Sequence, residues 1–410
     1  MTHRVVVTGI GLITAFGCGK EALWDGMSRG VSPLRRITRF DASSLGSQIA
    51  AEVDGFEPSD WIEPKQVRRF DRFSQFAVSA ARMACNDASL DLATLDPTRA
   101  GAHIGSALGG VAFGEEQHER FDRLGIRAVT PMLALAVFNA AAVSNVAQVF
   151  DLRGSVLSNG NSCAAGAIAI GEAARVIARG EADVMLAGGS EAPLATLTFG
   201  AFTLVRAMST RNDDPATACR PFDRDRDGFV MGEGACVLVL ESLEHAQRRG
   251  ASMYGEVAGF GTTNDAHHMT EPRPDASEAA RAITIALAAA GVRPSEVDYV
   301  NAHGSSTRLN DTTEAVALHR ALGTHASQVP VSGTKPFTGH ALGATGAIEA
   351  ALCLLAIERD LLPPTINLFC PDPDIDLCLF TQPLRRRIDT ALSNSFGFGG
   401  SNAALVFRRL

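Results

Sequence analysis

The feature that most constrains the fold of this chain is an internal repeat, because three short glycine-rich segments recur in the same order in both halves. The paired segments are residues 7–11 (VTGIG) with 257–261 (VAGFG), residues 165–168 (AGAI) with 345–348 (TGAI), and residues 232–240 with 399–407. Chance could produce any one match, but the common order of all three favours a duplicated α/β unit. The boundary is expected near residue 250, which gives an N-terminal half, residues 1–250, and a C-terminal half, residues 251–410.

Within each half, short apolar runs that end in glycine alternate with alanine-rich stretches. The apolar runs predict buried strands. The alanine-rich stretches predict helices at residues 73–90, 166–179, 277–290, 312–322 and 345–358. Strands buried on both faces require helices packed against both faces of their sheet. The alternation therefore predicts an α/β fold of layered sheets and helices.

Charge and composition narrow the classes of function. The net charge of −8 argues against nucleic-acid binding, which needs a concentrated basic surface. The first residues lack the charged start and long apolar run of a signal peptide, and no run of ~18 apolar residues predicts a membrane span. The chain contains 8 cysteines and no CxxC pair, which indicates a reducing compartment. These features predict a cytoplasmic enzyme.

Cys163 is the candidate nucleophile. It follows a strand-like run, residues 155–158, and immediately precedes a long helical pattern. The unpaired backbone N–H groups and the positive dipole at a helix start stabilise a thiolate, the nucleophilic form of cysteine. The same local pattern fits a buried structural cysteine equally well, so by itself it leaves the role of Cys163 open.

Three later segments carry further groups that catalysis can use. His303 lies in NAHGSST at the end of a predicted strand, and Lys335 and His340 lie in TKPFTGH on a glycine-rich loop before a helix. Phe398 lies in NSFGFGG, where glycines allow the backbone to approach a ligand closely. Each segment alone could be ordinary structure: a core histidine, a helix cap with a solvated lysine, and a β-turn. Together with Cys163 they supply a nucleophile, two imidazoles, a lysine and a loop of N–H donors.

The order of these segments resembles the series found in the elongating β-ketoacyl-acyl carrier protein synthases, type II in particular. The resemblance extends from residues 5–11 to the C-terminus, and includes residues 204–210, 227–230 and 265–270. It implies the thiolase fold, which is α/β with two duplicated halves in a five-layered αβαβα architecture. It also implies an obligate dimer, either a homodimer or a heterodimer with a ketosynthase-like chain-length partner.

The resemblance further implies an activity and assigns roles in it. The reaction would be the decarboxylative condensation of malonyl-acyl carrier protein with an acyl group held on Cys163 as a thioester. His303 and His340 would polarise the malonyl thioester and stabilise the enolate, and Lys335 would orient and tune the site. The backbone N–H groups of Cys163 and Phe398 would form an oxyanion hole, and the Phe398 side chain would gate the pocket.

Other residues would hold the carrier protein and its prosthetic arm. Ser305 and Thr307 would hydrogen-bond the phosphopantetheine, and no metal or further cofactor is expected. Glu349 is a candidate for an indirect role, in which it acts on the site through a neighbouring residue. It could equally well be an ordinary surface residue.

A basic cluster is the candidate docking surface for the carrier protein. The resemblance places this surface at residues 65–72, where Lys65, Arg68 and Arg69 stand, together with Arg206. A solvated helix face is the ordinary alternative for such a charge run.

Some residues depart from the family pattern. Asn161-Ser162 replaces Thr-Ala before the cysteine, Ser305 replaces threonine, and Gly333 and Pro336-Phe337 are unusual. No catalytic group is lost, so a fatty-acid enzyme and a specialised polyketide or polyene elongase both remain open. A thiolase or an initiating synthase would carry asparagine in place of His340, and a non-catalytic chain-length partner would lack Cys163. A ketosynthase subunit that is active only in a heterodimer is the remaining alternative.

Overall fold

The computed structural model describes residues 3–410, and its central feature is a twelve-stranded mixed sheet within that part of the chain. Two runs of five strands meet where the first long strand pairs with the first strand of the second half, Val6 opposite Glu256. The order in the N-terminal run is Val156–Asn159, Ala100–Gly105, Val184–Glu191, Gly234–Ser242 and Val5–Thr14. The order in the C-terminal run is Pro330–Ser332, Tyr299–Asn301, Thr390–Gly397, Ser401–Arg408 and Gly255–Asn264.

The two runs have the same topology. In each, the second and third strands lie parallel and the last pairings are antiparallel. Apart from the exposed edge strand Val156–Asn159, these strands are mostly buried on both faces and are rich in apolar residues and glycine. Each half therefore needs a helix layer on either side of its sheet.

Five layers result from this requirement. Two largely buried helices, Ala165–Ala178 and Thr345–Arg359, pack against each other between the two sheet halves. Arg72–Asp87 covers the outer face of the N-terminal half, and Ser277–Ala290 covers the outer face of the C-terminal half. The central helices are rich in alanine and glycine, which allows close approach: a Cβ on Gly166 would stand 2.8 Å from the carbonyl oxygen of Gly343.

The remaining elements connect this frame or lie at its edges. The other helices are Lys20–Ser28, Pro64–Val67, Val111–Leu124, Leu133–Ala136, Ala140–Phe150, Thr196–Leu204, Leu243–Arg248, Arg308–Leu322 and Lys335–Thr338. The other strands are Gly17–Cys18, Arg35–Arg36, Ile49–Ala50, Leu361–Leu362, Cys378–Leu379 and Leu384–Arg385. Within residues 3–410 no helix is long and apolar enough to cross a membrane.

The predicted helices are confirmed, with shifts at their ends. The helix predicted at 312–322 begins earlier, at Arg308, because the Thr307 side chain caps it by accepting from the backbone N–H of Asn310 at 3.3 Å. The helix predicted to reach residue 90 ends at Asp87, ahead of Ser89 with a φ of 48°. The domain boundary near residue 250 stays a prediction.

Candidate active site

Cys163 lies in a single helical turn, Ser162–Ala164, directly before the helix Ala165–Ala178. Its side chain is buried with 7% exposure, and it lines a cavity of about 310 Å³. Burial raises the pKa of the Cys163 thiol to about 12, while the charge of Lys335 and the backbone N–H groups of Phe398 and Cys163 act to lower it. The resting side chain is therefore a neutral thiol that must lose its proton as it reacts.

His303 and His340 come from two loops of the C-terminal half and meet in the same cavity. Their ring centroids stand 5.3 Å apart at an interplanar angle of 77°. The pKa of each imidazole lies well below its usual range, because burial and the nearby Lys335 ammonium disfavour the charged form. Both rings are therefore neutral at physiological pH and can each present one N–H to a ligand.

A buried ion pair stands behind the two imidazoles. Lys335 is fully buried and donates to the backbone carbonyl of His303 and to Glu349 Oε1, the latter at 2.6 Å. Its Nζ also lies 3.4 Å from His303 Nδ1. Donation to Nδ1 makes that nitrogen the acceptor and leaves the proton on Nε2. Burial raises the pKa of Glu349 to about 7, while Lys335 acts to lower it.

Two ordinary alternatives from the sequence are wrong. Lys335 is not a solvated lysine at a helix cap, because its ammonium is enclosed. Glu349 is not a surface residue, because only 1% of it is exposed. Both interpretations were based on the local sequence pattern. The burial of Lys335 and Glu349 comes instead from the packing of the two central helices between the sheet halves.

The turn around Phe398 brings a backbone edge to Cys163. Strand Thr390–Gly397 ends in the turn Phe398–Gly400, from which Ser401–Arg408 returns. A Cβ on Gly397 would stand 3.1 Å from the backbone nitrogen of Cys163, so glycine allows the two segments to lie against each other. The Phe398 ring is half-buried and stacks on Phe202, with 6.5 Å between the centroids.

The wall of the cavity also carries hydroxyl groups. Ser305 Oγ and Thr307 Oγ1 are 2.9 Å apart, and both residues line the cavity. Arg226, which is almost wholly buried, holds their loop by donating to the backbone carbonyls of Thr307 at 3.2 Å and Arg308 at 3.1 Å. Sequence reasoning missed Arg226, since an arginine in a charged run ordinarily indicates a surface loop.

A second residue that sequence reasoning missed is Glu314. Its carboxylate accepts hydrogen bonds from the backbone N–H groups of His303 and Gly304, both at 2.8 Å. Burial raises the pKa of Glu314 to about 7, against the effect of these donors. Glu314 fixes the backbone that carries His303. It lies eleven residues from that histidine on a helix, and nothing in the local pattern distinguished it from a surface glutamate.

The basic cluster is exposed in part. Lys65, Arg68 and Arg69 lie on the surface at the short helix Pro64–Val67, whereas Arg72 turns inward and donates to Glu233 Oε2 at 2.9 Å. Arg206 is exposed as well and lines the mouth of the cavity, which the other three do not.

Comparisons with known proteins agree with this geometry. The family model described as "Beta-ketoacyl synthase, N-terminal domain" matches residues 2–246, and "Beta-ketoacyl synthase, C-terminal domain" matches residues 254–369. The chain is 44% identical over 409 residues to 3-oxoacyl-(acyl-carrier-protein) synthase 2 of Coxiella burnetii, covering 100% of this chain and 99% of that protein.

Two solved structures match over the full length of both chains. One is a ketosynthase bound to the hexaketide in complex with its type II PKS acyl-carrier protein, at 36% identity and a TM-score of 0.93. The other is the ishigamide ketosynthase/chain length factor, at 35% identity and a TM-score of 0.94.

The chain therefore belongs to the β-ketoacyl synthase family. It is a condensing enzyme of the acyltransferase class, and the thiolase fold predicted from the sequence is confirmed.

Proposed function

We propose that this enzyme joins an acyl group held on Cys163 to a two-carbon unit released from malonyl-acyl carrier protein by decarboxylation. The observation that carries the proposal is the convergence of a thiol at a helix start and two neutral imidazoles in one cavity, with a buried ammonium directly behind the His303 imidazole. The same cavity is lined by the hydroxyl groups of Ser305 and Thr307, which suit the polar phosphopantetheine arm of a carrier protein. No further cofactor is needed for this chemistry, because the carrier thioesters supply both reacting groups.

In the first step the Cys163 sulfur attacks the carbonyl of an acyl-carrier thioester. The sulfur–carbonyl bond forms, the bond to the carrier's phosphopantetheine sulfur breaks, and the thiol proton passes to the departing thiolate. The backbone N–H groups of Cys163 and Phe398, which act to lower the pKa of the Cys163 thiol, would stabilise the negative charge on the tetrahedral intermediate's oxygen.

In the second step malonyl-carrier thioester loses carbon dioxide, and the electron pair of the broken bond becomes an enolate. An N–H from His303 and an N–H from His340 can both donate to the enolate oxygen. Each preorganised donor of this kind contributes on the order of 3 kcal/mol to the transition state. Lys335 maintains the neutral N–H form of His303 by donating to its other nitrogen.

In the third step the enolate carbon attacks the acyl-Cys163 carbonyl. A carbon–carbon bond forms and the carbon–sulfur bond to Cys163 breaks, so that β-ketoacyl-carrier protein leaves. The Cys163 thiolate then takes up a proton from solvent, which regenerates the thiol. The carrier would dock against the exposed cluster Lys65, Arg68 and Arg69 and against Arg206 at the cavity mouth, because their charge is opposite to that of an acidic carrier.

Intact mass measurement after incubation with a panel of acyl-carrier proteins tests this function. The expected result is one added acyl group per chain, mapped to Cys163 by peptide analysis and absent from Cys163→Ala. Cys219→Ala is the matched control, because Cys219 is also a buried free cysteine but does not line the cavity. Acylation that persists in Cys163→Ala, or that maps to Cys219, would overturn the proposal. The chain lengths accepted would also separate fatty-acid from polyketide use.

A second candidate is that the enzyme works as one subunit of a heterodimer with a chain-length partner, since an open sheet edge offers a surface to a second chain, whether that partner or another copy of this chain. Val156–Asn159 is the outermost strand of the N-terminal half, and Val156 and Leu157 are 40% and 45% exposed. Exposed apolar side chains on the neighbouring segments are Phe121, Leu124, Leu135 and Phe138. An uncovered strand of this kind pairs readily with another chain. A purified chain that is dimeric and active by itself would exclude the heterodimer requirement.

A further inference from the structure

Glu191 is a buried carboxylate that joins the two halves of the molecule beside the reactive cysteine. It ends strand Val184–Glu191 and is completely enclosed. Its Oε1 accepts from Ser106 Oγ at 3.0 Å and from the backbone N–H of Leu108 at 3.1 Å. Its Oε2 accepts from the backbone N–H groups of Ala107 at 2.6 Å and Gly343 at 2.9 Å.

The donors from the N-terminal half belong to a segment that touches the surroundings of Cys163. This segment, residues 106–108, follows strand Ala100–Gly105, and a Cβ on Gly105 would stand 2.4 Å from the carbonyl carbon of Ala165. Ala107 and Leu108 pack on the apolar cluster that contains Cys163. A shift of this segment would therefore move the wall beside the nucleophile.

The donor from the C-terminal half belongs to the turn that follows His340. Gly343 is the middle residue of the turn Leu342–Ala344, and Leu342 lines the cavity with a φ of 40°, an unfavourable value for a side chain of that size. A Cβ on Gly343 would stand 2.4 Å from the backbone nitrogen of Ala107. The turn is thus strained, closely confined and held by the Glu191 carboxylate.

We propose that Glu191 is a positioning residue for condensation, which fixes the turn after His340 against the pocket wall beside Cys163 and so sets the alignment of imidazole and thiol. The proposal rests on the proposed function. All four partners of the carboxylate are donors, so an ionised carboxylate satisfies every one of them. A glutamine amide would direct its own N–H group at one of these N–H donors, and an aspartate would be too short to reach both halves.

Glu191→Gln tests the proposal, with carbon dioxide release and acyl transfer to Cys163 measured separately. The expected result is a fall in kcat for condensation of about 10- to 100-fold, the loss that a small misplacement of reacting groups produces. The KM for malonyl-carrier protein should change by less than about twofold, because Glu191 touches no part of the cavity mouth.

The matched control is Glu52→Gln. Glu52 is also buried, and it also accepts from two backbone N–H groups, those of Thr38 at 2.9 Å and Arg39 at 3.0 Å. None of these residues lines the cavity. An equal fall in kcat for both variants, or no fall for Glu191→Gln, would overturn the proposal.

If Glu191→Gln does not fold, Ser106→Ala decides the matter, because it removes one of the four donors and leaves the charge in place. A kcat lowered by about threefold at constant KM would support the positioning role, and an unchanged kcat would overturn it. Cys163→Ala is measured alongside these variants: retained acylation in that variant would refute the proposed function itself, whatever the result at Glu191.

Discussion

The same strand–turn–helix unit occurs once in each half of the molecule, but only the N-terminal copy carries a nucleophile. The turns Ser162–Ala164 and Leu342–Ala344 each begin with a non-glycine residue at positive φ, 48° for Ser162 and 40° for Leu342. Each precedes a buried helix of the central layer. Cys163 stands at the middle of one turn, and Gly343 stands at the middle of the other.

The difference between the two turns is in what approaches each of them. The strand of the C-terminal half that faces Cys163 ends in Gly397, which leaves a cavity and brings backbone N–H groups to the sulfur. The corresponding strand of the N-terminal half ends in Glu191, whose carboxylate fills the space at Gly343. The turn at Cys163 therefore carries the reactive group, whereas the turn at Gly343 is held rigidly in place.

The halves also divide the remaining groups between them. The N-terminal half supplies the thiol and the exposed basic residues, whereas the C-terminal half supplies both imidazoles, the lysine and the hydroxyl pair. Acyl loading should therefore depend mainly on the first half and decarboxylation mainly on the second.

The largest expected effect separates those two steps. His303→Ala or His340→Ala should lower carbon dioxide release from malonyl-carrier protein by about 10²–10³-fold, the usual loss for one preorganised donor to a developing oxyanion. Acylation of Cys163, followed by intact mass, should fall far less in at least one of the two variants. Release of carbon dioxide at the wild-type rate in both variants would break the assignment of decarboxylation to the C-terminal half.

The next effect concerns the rigidity of the second turn. In Gly343→Ala the new Cβ would stand 2.4 Å from the backbone nitrogen of Ala107, and the resulting overpacking should lower the free energy of unfolding by about 1–3 kcal/mol. Gly397→Ala is the matched change at the reactive turn, where the nearest atom is 3.1 Å away and a smaller loss is expected. Urea denaturation of both variants measures the difference. Equal losses in the free energy of unfolding would show that the two turns tolerate an added methyl group equally well.

A smaller effect is expected at the docking surface. Reversing Arg68 and Arg69 together to glutamate should raise the KM for carrier-bound substrate several-fold, since exposed charge pairs contribute about 0–1 kcal/mol each. The effect should shrink at high salt. Acylation by a small thioester analogue should not change, because the analogue does not dock.

The control for this docking test is the reversal of Arg385 and Arg386, which are exposed at a small two-stranded sheet far along the chain and do not line the cavity. Equal losses with carrier-bound and small substrates would mean that residues 65–69 are structural.

The smallest expected effect is an absence of titration. Because burial and Lys335 hold the pKa of His303 and His340 well below the ordinary value of 6.5, both rings should stay neutral as the pH is lowered through 6.5. The chemical shift of the ring carbon between the two nitrogens, measured by NMR on labelled protein, reports the charge directly. A titration near 6.5 for either ring would mean that more water reaches the imidazoles than the geometry of the site indicates.

Much of the frame could be predicted from the sequence because its signals are local and repeated. Glycine at the ends of apolar runs and alanine-rich helical stretches gave the α/β alternation, and the ordered repeat indicated the duplication. The resemblance around Cys163, His303, Lys335 and His340 indicated one site. The structure brings Cys163 and the two histidines into one cavity and places Lys335 directly behind His303.

The sequence by itself thus determined which segments are strands and helices, that the unit is duplicated, and which nucleophile and imidazoles are available. Only the tertiary structure decided the roles of the buried charges: that Lys335 pairs with Glu349, that Arg226 and Glu314 hold the loop of His303, and that Glu191 bridges the halves. The physical reason is that a charged residue has the same local pattern whether it faces water or the interior. Its environment is set by partners 10 to 152 positions away in the chain, which folding alone brings together.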